Sequence, residues 1–177
     1  PLDATGARAG GGRPLSTSVV IPVKDDGPLL ARCLAALIAQ EHAPDEIIVV
    51  DNGSVDDSAA VAAEGGARVL RCAEPGIFAA ASSGYDAARG DLILRLDADC
   101  EPDPDWISTV VAAFAADDEV AAVTGHARFI DGPPRLRSPL ARLYLGTYTA
   151  VLGLTLGHRP LFGSNLAFRR AAWLAVR

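Results

Sequence analysis

Apolar residues along this chain come in two alternating rhythms. "TSVVIPV" (17–23) is apolar almost without a break and predicts a strand buried on both faces. Leu29, Leu30, Cys33, Leu34, Leu37 and Ile38 then recur at helical spacing, and Pro28 suits the first turn of a helix. "EIIVVD" (46–51) predicts a second buried strand, and "NGS" a turn after it. Asp56 and Asp57 open a short Ala-rich helix, where acidic side chains meet its positive end. "ARVLRC" (67–72) predicts a third strand, and "FAAASSGYDAAR" (78–89) a helix weakened by Gly84. "DLILRLD" (91–97) predicts a fourth strand. Pro104 starts a helix with Trp106, Ile107, Val110, Val111 and Phe114 on one face, and "EVAAVTG" (119–125) reads as a fifth strand.

This alternation implies a mainly parallel central sheet with helices on both faces, a three-layer α/β/α sandwich. In such sheets ligands collect beyond the carboxyl ends of the strands, near the point where strand order reverses. Polar clusters stand at those ends: "PVKDD", "DNGS" and "DAD" close strands one, two and four. After residue 125 the rhythm changes. Residues 131–139, "DGPPRLRSP", read as a loop with a double proline. Residues 140–157 are apolar on nearly every side. They form either a buried helix with glycines at close contacts or an interfacial segment touching membrane or a lipid-linked substrate. "GSNLAFRRAAW" (163–173) predicts a turn, a short strand and a helix in which the chain ends. The expected organisation is a disordered leader over 1–16 and one domain over 17–177, incomplete at its C-terminus.

Composition narrows the function classes. The chain has 177 residues, 50% of them hydrophobic, enough for one domain with a real core. A net charge of −6 argues against a nucleic-acid partner, which needs a basic patch to meet phosphates. Cys33, Cys72 and Cys100 are odd in number and lie far apart, so they read as free thiols in a reducing compartment. No run of apolar residues reaches the length of a membrane span.

Asp97 and Asp99 carry the strongest chemical signal. In a strand continuing past its end, residues two apart face the same way, so both carboxylates would aim at one spot. Two nearby ionised carboxylates repel, and a cation resolves the repulsion. Hard oxygen ligands suit Mg²⁺ or Mn²⁺, which often take one or two carboxylates and complete their shell with water and substrate phosphates. The softer thiol of Cys100 fits such a site poorly. The ordinary alternative is one aspartate capping a turn and the other solvated. Asp51 ends the second strand, where an acidic residue either contacts a ribose or base or makes a turn through Asn52 and Gly53.

"VVIPVKDD", "IIVVDNGSVDDS", "GIFAAASSGYDAARGDLILRLDADCEPDPDWI" and "GSNLAFRRAAW" together resemble family 2 glycosyltransferases of the GT-A fold, over roughly residues 17–177. The resemblance implies a nucleotide-diphosphate sugar donor, a saccharide or lipid-linked acceptor, inversion at the sugar carbon and a divalent cation. It implies that Pro22, Val23, Lys24 and Asp51 hold the nucleotide base. Asp97 would meet the ribose and share the metal, and Asp99 would be the direct metal ligand. Gly163, Ser164 and Asn165 would lie near donor sugar and acceptor. The acceptor's base would lie in an acidic motif beyond Arg177, and the chain would work in the cytoplasm or at the cytoplasmic face of the membrane, with 140–157 touching that surface.

The sequence departs from that family in two places. Ala81-Ser82-Ser83 stands where an arginine-containing triplet is common, and Lys24 where a tyrosine is common. Lys24 would pair with phosphate, pair with Asp25 or Asp26, or be solvated. His126 reads as a capping or packing residue and His158 as a weak acceptor contact. Arg169 and Arg170 read as surface charges or phosphate contacts. Arg95 interrupts the fourth strand and is explained by none of these readings. Two other functions fit less well. A sugar nucleotidyltransferase would carry a Gly-rich basic loop where "PVKDDGP" is acidic, and a non-catalytic nucleotide-binding or interaction domain would keep the fold alone.

Overall fold

The computed structural model describes residues 13–125, 133–157 and 160–177. His126 and His158 lie outside these, as does most of the expected leader. The elements in order are β1 (Thr17–Val23), α1 (Gly27–Ile38), β2 (Glu46–Asp51), α2 (Ser58–Glu64), β3 (Arg68–Arg71), α3 (Ile77–Ala87), β4 (Leu92–Leu96), α4 (Trp106–Ala116), β5 (Ala122–Thr124), α5 (Pro134–Leu156), β6 (Asn165–Arg169) and α6 (Arg170–Val176).

Six strands form one sheet in the order β3-β2-β1-β4-β6-β5. The first four are parallel, whereas β6 runs antiparallel to both β4 and β5. Strand order reverses between β1 and β4, so the carboxyl ends of those two strands flank the switch point.

Alternation along each strand builds two cores. Val19, Ile21, Val23 and Val49 face Leu30, Leu34 and Leu37 of α1, with Ile107 and Phe114 of α4. Each fully buried leucine there contributes about 1.5–3 kcal/mol. Val20, Ile48, Val50 and Ile93 face the other way, onto Ala80, Ala81 and Tyr85 of α3. The Tyr85 ring meets Phe168 and Trp173 edge-on, with centroids 5.0 and 5.2 Å apart, which ties α6 to this layer. Gly84 weakens α3 locally but lets it descend onto the sheet, since a Cβ there would run into Val20 and lie 3.0 Å from Val50.

Three expectations need correction. The 131–139 loop is helical from Pro134, because proline at the first helical position gives up no intrahelical hydrogen bond. Pro139 lies inside that helix. Residues 140–156 are not a buried helix. Ala141 is buried, but Leu140, Leu143, Tyr144, Val151 and Leu154 are exposed, because no described element packs over that face. Arg169 is neither a phosphate contact nor a loose surface charge. Its guanidinium donates to the carbonyls of Val120 (2.9 Å), Phe114 (2.9 Å) and Asp117 (3.2 Å), and lies over the Phe114 ring. It thereby satisfies carbonyls at the C-terminal end of α4 and in the turn that leads to β5.

Candidate functional site

A cavity of about 470 Å³ opens at the switch point, within the range of small-molecule sites. Its lining comes from the end of β1 (Pro22, Val23, Lys24) with Asp26, from Asn52 after β2, from the start of α3 (Gly76, Ile77, Ala80), and from Asp97, Ala98 and Asp99 after β4.

The floor is a turn. The strand ends at Leu96, and the Cys100 N–H donates to the Asp97 carbonyl at 3.1 Å. The two aspartates therefore do not reach the cavity by strand alternation, as their spacing predicts. They reach it because Ala98, 6% exposed, is drawn into the core against α1 and α4. That anchor leaves Asp97 half-buried and Asp99 exposed. Beneath Asp97, the guanidinium of Arg95 donates to its Oδ1 at 2.9 Å. Arg95 is itself only 8% exposed.

One wall is a clasp between two loops. Asp25, held at φ 54°, accepts from the Val55 N–H (2.7 Å), and its own N–H donates to Ser54 Oγ (3.1 Å). The Asp26 N–H donates to Ser58 Oγ and the Gly27 N–H to Asp56. The acidic run after β1 thus fixes the loop that presents Lys24 and Asp26. Burial first, then the nearby charges of Asp99 and Asp56, pushes the Asp26 carboxyl above the usual range.

The opposite wall is set by Asn52. Its Nδ2 donates to the carbonyls of Cys72 (3.1 Å) and Glu74 (2.7 Å), and its Oδ1 accepts from the Gly76 N–H (2.8 Å). Gly76, at φ 117°, is the residue before α3, so this amide aims the positive end of the helix at the cavity.

Of the residues singled out from the sequence, Pro22, Val23, Lys24, Asp97 and Asp99 line this one cavity. Asp51 stands just outside it, buried, with Oδ1 accepting from the Ser54 N–H at 2.9 Å. Gly163, Ser164 and Asn165 are not part of the lining. Gly163 lies over Arg95, where a Cβ would sit 2.6 Å from Nη1. The Ser164 carbonyl faces the Cys100 thiol, and Asn165 accepts from Trp106 Nε1 at 3.0 Å. Sequence reasoning missed Asp26, Asn52, Gly76, Ile77, Ala80 and Ala98 as lining residues. The turn signal "DNGS" marked the place of Asn52 without indicating its reach across to the loop before α3.

Among the described residues, no three His, Cys, Asp or Glu side chains gather as a metal cage. Burial first, then Asp99, pushes the Cys100 thiol up to about 11, and a soft sulfur suits a hard cation less well than oxygen does. The donor set that remains, Asp97 and Asp99, fits a hard cation that completes its shell with water and phosphate oxygens.

The chain matches the family model for glycosyl transferase family 2 over residues 18–174. It is 34% identical, over 76% of its length and 42% of the relative's, to an undecaprenyl-phosphate 4-deoxy-4-formamido-L-arabinose transferase of Pseudomonas fluorescens. It is 30% identical to an uncharacterised glycosyltransferase of Nostoc sp., over 77% of this chain and 47% of that one. Among solved structures, glucosyl-3-phosphoglycerate synthase from Mycobacterium tuberculosis, in complex with Mn²⁺, UDP-glucose and phosphoglyceric acid, superposes with a TM-score of 0.65. That match has 26% identity and covers 89% of this chain and 57% of the other. The chain spans about half or less of the length of the curated relatives it matches. With its six-stranded, mostly parallel sheet of GT-A type, the chain belongs to glycosyl transferase family 2.

Proposed function

We propose that this chain carries the donor site of an inverting glycosyltransferase that takes a nucleoside-diphosphate sugar with Mg²⁺ or Mn²⁺ and passes the sugar to an acceptor hydroxyl. The observation that carries this reading is the cavity at the switch point, which joins the end of β1 to the Asp97–Asp99 turn. Pro22, Val23 and Lys24 would receive the base, with Asp51 supporting the rim. Asp97 would accept from the ribose, and Asp99 would hold the cation. The N-terminus of α3 would face the diphosphate, since helix amides and dipole favour anions there. A divalent ion bound at Asp99 would offset the charge that builds on the leaving phosphate. Gly163, Ser164 and Asn165, over Arg95 and beside Cys100, would border the sugar and acceptor. We assign no residue of the chain as the acceptor's base.

The acceptor is proposed to be a saccharide or a lipid-linked hydroxyl or phosphate, as the name of the undecaprenyl-phosphate relative suggests. Peripheral contact at the cytoplasmic face of a membrane would suit such an acceptor. The exposed leucines of α5, beside exposed Arg135 and Arg142, support that contact. No helix among the described residues is long and apolar enough to cross a membrane.

Thermal shift with UDP, GDP and dTDP, each with and without Mn²⁺, tests the donor site. One nucleotide should raise Tm by about 5–10 °C at roughly a hundredfold excess over its Kd, and do so mainly with metal present. Asp99→Ala should lose the metal-dependent part. A flat response to all three nucleotides would refute the reading.

A further inference from the structure

Arg95 is a charged residue in the middle of a core strand, and the donor-site reading does not use it. It pairs across the sheet with Val20 of β1 and Leu166 of β6. Nη2 donates to Asp97 Oδ1 at 2.9 Å, Nη1 lies under Gly163, and the Tyr85 phenol stands beside the guanidinium. Nε is buried and has no hydrogen-bond partner among the described residues. Desolvating a guanidinium is costly, and a packing role alone would be filled more cheaply by leucine or methionine. Among the described residues, the one opposing charge within salt-bridge distance of Arg95 is the Asp97 carboxylate.

That pairing changes the charge of the cavity. Asp26, Asp97 and Asp99 line it, and Lys24 lines it with the opposite sign. Without Arg95 the two aspartates of the turn would form a doubly charged patch able to attract a divalent cation unaided. With Arg95 one of the two is already compensated. What remains is close to a single carboxylate, a weak site for a hydrated Mg²⁺-type ion. A diphosphate brings the missing negative charge and oxygen ligands.

We propose that Arg95 is a positioning residue that holds Asp97 by one oxygen and offsets its charge, so that a divalent cation binds together with a nucleoside diphosphate and only weakly without one. The idea rests on the donor-site reading for the identity of the second ligand. Its central measurement, the affinity for the metal alone, does not.

The test is the Kd of Mn²⁺ measured from its free-ion paramagnetic resonance signal, with and without the nucleoside diphosphate that gives the largest thermal shift. Wild type, Arg95→Met, Arg95→Gln and Arg95→Lys are compared, with circular dichroism as the check on folding. Removing the charge should tighten binding of Mn²⁺ alone by about tenfold, the effect of one nearby unit charge under water-like screening. The ratio of the two Kd values should shrink in Met and Gln, and Lys should restore it toward wild type. A residue that merely supports the fold would weaken both constants together, and that result overturns the proposal. So does a folded Met or Gln variant that binds Mn²⁺ alone no more tightly than wild type, or the failure of both to fold. If no nucleotide binds even to wild type, the donor-site reading fails, while tighter binding of Mn²⁺ alone in the charge-removed variants still supports the role of Arg95.

Discussion

Asp97 and Asp99 differ only by two positions in sequence, yet one is half-buried over a guanidinium and the other exposed. The difference comes from Ala98, small enough to be drawn into the core between them. That two carboxylates end a buried strand was legible in the sequence, because an apolar run followed by acids is seldom accidental. The turn geometry was not, since it depends on helices α1 and α4 supplying the pocket for Ala98. Asn52 was less legible still. Its three partners lie 20 or more residues away, and only the folded chain brings them within reach. Truncating it should therefore be costly. Asn52→Ala leaves a backbone N–H and two carbonyls without partners and should destabilise the protein by about 2–4 kcal/mol in urea unfolding. On the proposed donor-site reading it should also weaken nucleotide binding more than a remote variant of equal stability, because the start of α3 loses its anchor.

At the scale of elements, strands and helices of the first half were readable from rhythm alone. Their boundaries in the structure differ from expectation by a few residues at most. The reason is that both faces of β1, β2 and β4 are buried, so the apolar run is continuous and the flanking turns are sharp. The rhythm misled at α5, where an all-round apolar pattern suggested burial. Leu136, Leu140, Leu143, Val151 and Leu154 instead lie at helical spacing and are about half or more exposed. If this face meets lipid, the protein should co-sediment with vesicles of anionic lipid and do so less with neutral ones, since Arg135 and Arg142 border it. Leu143→Ser with Leu154→Ser should abolish co-sedimentation while leaving the nucleotide-induced Tm shift intact. Co-sedimentation unchanged by the pair would exclude this face as the contact.

Across the whole molecule, the two ends of the parallel sheet do different things. The carboxyl ends hold the cavity. The amino ends are pinned by carboxylates: Asp91 accepts from Ser16 and Arg13, and Glu46 from Ser18, Arg68 and the Arg89 N–H. Hydrogen bonds from the Ser16 N–H and hydroxyl lead in holding Asp91 below its ordinary value. Burial pushes Glu46 up, but its hydrogen bonds from Ser18, Arg89 and Arg68 outweigh that and leave it lowered. Groups whose folded pKa is depressed stabilise the protein above their unfolded values, and that stability is lost as pH falls through the folded ones. Urea midpoints should thus hold steady near neutrality and fall below about pH 4.5, the ordinary glutamate value. Glu46→Gln should flatten the upper part of that decline. The sequence revealed neither pin, because each joins residues from different strands. The insertion of β6 between β4 and β5 has a consequence for how the chain reaches this state. The parallel unit from β3 to β4 has all its strands by residue 96, while its β4 edge must wait for β6 at 165–169. Until β6 pairs, the backbone groups of β4 that face away from β1 would form an open edge, a template for pairing with another chain. Substitutions that loosen β6 would therefore register first as aggregation during refolding, before any change in the affinity of molecules that complete it.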